Sequence, residues 1–282
     1  MKRLLAATLV AATAGILACN EPIDPAPYLA AAARYDVRIL RDPWGVPHVY
    51  GARDADVAYG LAFAHCEDDF ETIQSVALAT RGELAAHVGR DAAPVDYLVR
   101  LLGIWDTVEA RYERDLSPAT RAVVEAYAAG VNHYAALHPE ERIDALLPMT
   151  GQDVVAGFAL KVPFFYGLDD QIRRIVAGEL EGLPSETAVA RFIGAGIGSN
   201  AVAVSPRRSA DGATRLLVNS HQPMTGPVSW YEIRLKSEEG WDVAGGTFPG
   251  GPVMLHGHNR RLGWANTVNR PDLADVLSLI HI

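Results

Sequence analysis

The sequence predicts an α+β protein in which helices come first and short strands follow. Apolar residues recur at steps of three and four through most of the first two-thirds, which is helical spacing. Beyond Gly194 the pattern changes to short β-compatible runs separated by Gly and Pro, which favours mostly antiparallel strands. Composition, 49% hydrophobic and 21% charged, is that of an ordinary globular chain and excludes collagen-like, coiled-coil and disordered classes. A chain of 282 residues is long enough for one or two domains with a sizeable core.

The elements follow in order. Residues 1–18 carry Lys2 and Arg3 and then an uncharged apolar run, too short to span a bilayer comfortably. That pattern reads as an export signal. Residues 16–19, Ile-Leu-Ala-Cys, resemble a bacterial lipobox, so Cys19 is a candidate for lipidation and a membrane tether, with plain cleavage near Ala18 as the alternative. The expected location is therefore the periplasm, free or as a membrane-anchored lipoprotein. Cys66 is then the one thiol left, and no disulfide framework is expected. A polar linker over 20–27 leads to a strand at 37–39, a rigid turn at 42–47 and a second strand at 48–50. Asp54 reads as the N-cap of an amphipathic helix through Val57, Leu61, Cys66, Phe70, Ile73 and Val76. Further helices are expected at 119–136, 153–165, 170–180 and 186–192. Strands are expected at 201–204 and 216–218, joined across Asp211-Gly212, then at 230–235, 241–244, 253–255 and 262–268.

The formal charge is −9, from 25 Lys and Arg against 34 Asp and Glu. Without a basic excess or stripe, nucleic acid is not an expected partner.

Gly194-Ala-Gly-Ile-Gly-Ser-Asn200 is the most unusual stretch. A dinucleotide fingerprint needs a strand before the glycines and a helix after them, and here the order is reversed. A flexible glycine run that opens into a strand at a hydroxyl residue suits self-cleavage instead. An N-to-O acyl shift and hydrolysis would free Ser199 as an N-terminus, whose α-amine could serve as base for its own hydroxyl. A plain glycine-rich loop is the other reading of these residues. His256-Gly257-His258 could pair two imidazoles on a strand for metal, although no third ligand is evident. The run 65–69 (His-Cys-Glu-Asp-Asp) reads as a helix face with one packed thiol.

Larger blocks resolve the choice at Ser199. Ser199-Asn-Ala-Val-Ala-Val204, Leu217-Val-Asn-Ser-His221 and Gly263-Trp-Ala-Asn-Thr267 closely resemble the β-chain start of the penicillin acylase family. Residues 37–48, 59–69, Arg81-Gly-Glu-Leu84 and Ala128-Ala-Gly-Val-Asn132 resemble its α-chain motifs, in the family's order. These are N-terminal-nucleophile hydrolases that include penicillin and acyl-homoserine-lactone acylases.

The resemblance implies a four-layer αββα sandwich, of which this chain would hold the mainly helical α-chain and the first β-chain strands. It implies an α-chain over 19–180, a spacer over 181–198, autocatalytic cleavage between Gly198 and Ser199, and a β-chain starting at 199–276. Residues 277–282 do not fit the pattern and read as a non-native end, so the chain is expected to be an N-terminal fragment, inactive alone. Ser199 matches the nucleophile, His221 a histidine that orients its amine, and Val268 the backbone N–H of half an oxyanion hole. Asp272, Ala274 and Asp275 match oxygen ligands for calcium, with Asp170 standing where the family places a Glu. Phe165, Tyr166, Gln222, Phe248 and Val253 match positions around the substrate. The implied activity is hydrolysis of the amide of an N-acylated small molecule. An unprocessed exported binding protein is the rival expectation.

Overall fold

The computed structural model describes residues 23–165 and 198–267. The export signal, Cys19, the expected helices at 170–180 and 186–192, and positions 268–275 lie outside the described residues.

The fold is α+β. The expected linker over 20–27 gives way at Ala26 to a short helix, α1 (Ala26–Ala32). Strands β1 (Val37–Arg41) and β2 (Pro47–Gly51) flank the 42–47 turn. Asp42 closes that turn, its Oδ1 accepting the N–H groups of Trp44 (2.9 Å) and Val46 (3.0 Å). The long helix α2 (Asp54–Arg81) follows. Its cap lies one residue earlier than expected. Arg53 holds the N-cap position and Asp56 accepts its backbone N–H at 3.0 Å. Asp54 is instead the first helical residue, and its Oδ1 accepts the Ser237 hydroxyl at 2.5 Å.

Nor is α2 amphipathic. Val57, Leu61, Ile73 and Leu78 are fully enclosed, because β1, β2 and the later strand β5 (Tyr231–Ser237) cover one side. Helices α6 (Pro118–Leu137) and α7 (Gly151–Phe165) cover another. A helix between two layers needs no polar face. Three helices not read from the sequence, α3 (Leu84–Val88), α4 (Ala93–Leu101) and α5 (Ile104–Asp115), connect α2 to α6. Close α2–α6 packing requires Gly130. A Cβ there would meet Tyr59 O at 2.4 Å and Ala62 Cβ at 2.8 Å. Gly130→Ala is expected to cost about 1–3 kcal/mol, read as a lower urea midpoint at unchanged m-value.

Among the described residues the main sheet has six strands in the order β1-β2-β5-β6-β7-β8, with β6 (Asp242–Thr247), β7 (His256–His258) and β8 (Gly263–Trp264). All its pairings are antiparallel except β2 with β5, where His48 lies opposite Arg234. The N-terminal strands thus extend the later sheet. The expected strand at 253–255 is irregular backbone, and the carbonyls of Gly251 and Val253 accept the Thr247 hydroxyl at 3.0 and 2.8 Å. Strands β3 (Gly198–Val204) and β4 (Arg215–His221) form a separate antiparallel pair. Their connection is longer than the two-residue turn expected at Asp211-Gly212. It contains a 3₁₀ turn (Pro206–Arg208), and Asp211 pairs with Arg215 at 2.6 Å.

The 65–69 run is held by packing and ion pairs. Cys66 is buried and free, and burial pushes its thiol well up. Arg41 spans Glu67 and Asp68, each at 2.8 Å. His65 is stacked on Tyr231 at 3.8 Å, and its buried Nδ1 has no partner among the described residues. Burial pushes its pKa down to about 3, against an opposing pull from Asp68. The unfolded chain therefore binds this proton more readily between about pH 6.5 and 3. The resulting stability is fully present above pH 6.5 and lost as pH falls towards 3. His65→Phe is expected to flatten the decline in Tm across that window by scanning calorimetry.

Candidate active site

Ser199 sits near the start of β3, paired across the strand ribbon with Ser220, while Gly198 lies opposite His221. The Ser199 hydroxyl donates to the Gly198 carbonyl oxygen at 2.5 Å. That bond keeps the Ser199 oxygen beside the Gly198 carbonyl group. A Cβ at Gly198 would lie 3.2 Å from His221 Nδ1, so a larger residue there would ask the exposed ring to shift by a few tenths of an ångström.

His221 is oriented by two amides that sequence reasoning did not single out. Its Nε2 lies 3.2 Å from Asn200 Nδ2 and 3.4 Å from Asn219 Nδ2. The signal for these residues was strand alternation, since Asn200 and Asn219 are direct cross-strand partners.

Ser199 opens onto a cavity of about 500 Å³. Four of the expected residues line it together, namely Ser199, Phe165, Gln222 and Phe248. Phe165 and Phe248 face each other in parallel at 5.9 Å, and Trp230 packs on Phe248 at 4.4 Å. Trp230 and His256 complete the wall edge to face at 4.4 Å. Sequence reasoning placed His256 beside His258, but His256 is buried in this wall and His258 is exposed. Burial lowers the His256 pKa, which keeps the ring neutral. Thr267, directly before Val268, also lines the cavity.

Val253 stands apart and lines a second cavity of about 610 Å³ with Val123 and Trp241. Val268, Tyr166, Asp170, Asp272, Ala274 and Asp275 lie outside the described residues, so the expected calcium set has no described member. Among the described residues the cluster with metal-ligand character is His138, Glu140 and Glu141, just past α6, with both glutamates exposed.

The penicillin amidase family model matches residues 36–280. The chain belongs to the penicillin amidase family. An acyl-homoserine lactone acylase PvdQ of Pseudomonas putida is 28% identical, over 94% of this chain and 36% of its own length. Penicillin acylase 2 proenzyme of a Pseudomonas species is 27% identical over 85% of this chain and 37% of its own. Aculeacin-A acylase of Actinoplanes utahensis is 25% identical over 83% of this chain and 34% of its own. The chain thus spans about a third of the length of these relatives. A solved thermostable penicillin G acylase from Alcaligenes faecalis aligns at 22% identity with a TM-score of 0.38, covering 52% of this chain and 85% of that one.

Proposed function

We propose that the chain is part of an exported amidohydrolase precursor that cleaves itself between Gly198 and Ser199. The observation that carries this reading is the Ser199 hydroxyl, held 2.5 Å from the Gly198 oxygen at the mouth of an aromatic cavity. In maturation, Ser199 Oγ attacks the Gly198 carbonyl carbon, and the peptide nitrogen leaves as the Ser199 α-amine. Water then hydrolyses the ester, which frees Gly198 as a carboxylate and leaves Ser199 as an N-terminus. Residues 181–198 are a spacer in this reading and 19–180 the α-chain.

In turnover the α-amine accepts the hydroxyl proton as Oγ attacks the amide carbon of an N-acylated small molecule. The same proton passes to the leaving amine, and water releases the acid. His221, fixed by Asn200 and Asn219, keeps the amine oriented. The Val268 backbone N–H supplies one donor to the developing oxyanion, a task suited to a fixed dipole. Asp170, Asp272, Asp275 and the Ala274 carbonyl would hold a structural calcium, being oxygen donors of the kind it prefers. The residue 1–18 segment supports export to the periplasm, and Cys19 is the position for a lipid tether. Names of the relatives point to acyl-homoserine lactones or penicillin-type amides as substrates.

The test is amine release from an acyl-homoserine lactone and from a penicillin by the product of the complete gene. Equimolar amine and acid from at least one is expected. Lactone-ring opening without amine release would refute the amide chemistry.

A further inference from the structure

One face of α7 meets a single stretch of chain, residues 248–251, which follows β6. Successive turns of the helix meet it in reverse order. Phe165 stacks on Phe248 at 5.9 Å. Lys161 Nζ donates to the Pro249 carbonyl at 2.5 Å. Phe158 lies so close to Gly251 that a Cβ there would meet its ring at 2.5 Å. Positions 158, 161 and 165 are spaced by three and four and share one helix face, so the segment runs along α7 with Lys161 in the middle. Among the described residues the Lys161 bond is the one hydrogen bond that joins the two. A second tie comes from α6, where the Tyr127 hydroxyl oxygen accepts the Gly250 N–H at 3.1 Å. Pro249 and Gly250 are buried, so a backbone group that lost its partner here would be left unpaired away from water. That is costly, and it favours a shift of the segment until the group pairs again.

From this arrangement we propose that Lys161, supported by Tyr127, is a positioning residue for acyl-chain length. It fixes Pro249, and through it the spacing of Phe248 from Phe165, the two rings that line the cavity beside Ser199. Neither Lys161 nor Tyr127 is among the residues lining that cavity, so both act through Phe248. The inference rests on the amidohydrolase reading for its placement of the acyl group. Burial lowers the Lys161 pKa to about 7, and the ammonium and the amine both carry N–H donors for the Pro249 oxygen. An apolar side chain would fill the same space without the cost of enclosing an amine. What lysine adds there is the donor. Small displacements of a positioning wall have large effects on turnover, and a single methylene in an apolar pocket is enough to discriminate between substrates.

The test reads a ratio of rates. A series of straight-chain acyl p-nitroanilides is offered as one mixture to the processed product of the complete gene, and the released acids are measured by mass spectrometry. Competition in one mixture gives relative kcat/KM, which does not depend on how much enzyme is folded, so a merely structural role would leave it unchanged. Lys161→Met is expected to lower the discrimination between the preferred chain and the one two carbons longer by about tenfold. Lys161→Gln has the same length but keeps a donor, and is expected to retain more of it. Tyr127→Phe withdraws the Gly250 tie and is expected to lower the discrimination in the same direction, so the result does not hang on the folding of a Lys161 variant. Discrimination at the wild-type value in every variant would overturn the proposal. So would equal loss in Lys161→Met and Lys161→Gln, or a wild type with no preference among the chains. Failure of the parent reading looks different: no acid would be released from any member of the series, and this inference would fall with it.

Discussion

Ser199→Ala is expected to leave one uncut chain and to lower amide turnover by about a millionfold, the scale on which removal of a covalent nucleophile falls elsewhere. The loss is double. The variant lacks the Oγ proposed to attack Gly198, and so would never expose the α-amine proposed as base. Ser199→Cys separates the two roles, since a thiol keeps a nucleophile at the same position. Mass spectrometry of the variants together with amine release checks both effects. An alanine variant that is still cut at this bond would place the cleavage chemistry elsewhere.

Arg81→Leu is the substitution expected to cost most in stability, about 3–5 kcal/mol. The Arg81 guanidinium meets the Asp153 carboxylate at 2.7 and 3.0 Å and donates to the carbonyls of Ala145, Leu146 and Pro148. Asp153 is almost wholly buried and also accepts the Thr150 N–H and hydroxyl, at 2.7 and 2.8 Å. Without Arg81 that carboxylate remains enclosed with no cation. The clamp fixes the start of α7, and the end of the same helix carries Val162 and Phe165 to the Ser199 cavity. Denaturant unfolding should therefore show the loss, and the double variant with Asp153→Leu should recover part of it, because removing both charges leaves none unpaired. Equal stability of the single and double variants would contradict this account.

Legibility in the sequence follows the range of the forces involved. Helix α2 was visible because its buried residues repeat at helical spacing, whereas its contact with β5 was not, since that strand lies some 150 positions further along the chain. Helix α5 kept a legible stripe, Ile104, Val108 and Tyr112, but so many charges surround it that it went unread. The N-cap was misplaced by one residue because Asp54 and Asp56 both suit a first turn, and a tertiary bond from Ser237 together with a local one from Arg53 decides their roles. At the site, Gly198 and Ser199 stood out at the end of the glycine run and His221 through the family resemblance, and the structure places them on one strand pair. His256 and Trp230 were not, because sheet order brings them to the cavity from separate segments. The motif residues Arg81, Gly130 and Asn132 act in the scaffold. Asn132, for example, both donates to and accepts from the Met149 backbone at 2.8 Å.

The central claim is that Ser199 becomes an N-terminus. Its most direct test is intact mass and N-terminal sequencing of the protein produced from the complete gene with its export signal. The account predicts two chains, one beginning Ser-Asn-Ala-Val. A single uncut chain that still releases amine from an acylated substrate would contradict it, since no free α-amine would then be present to act as the base.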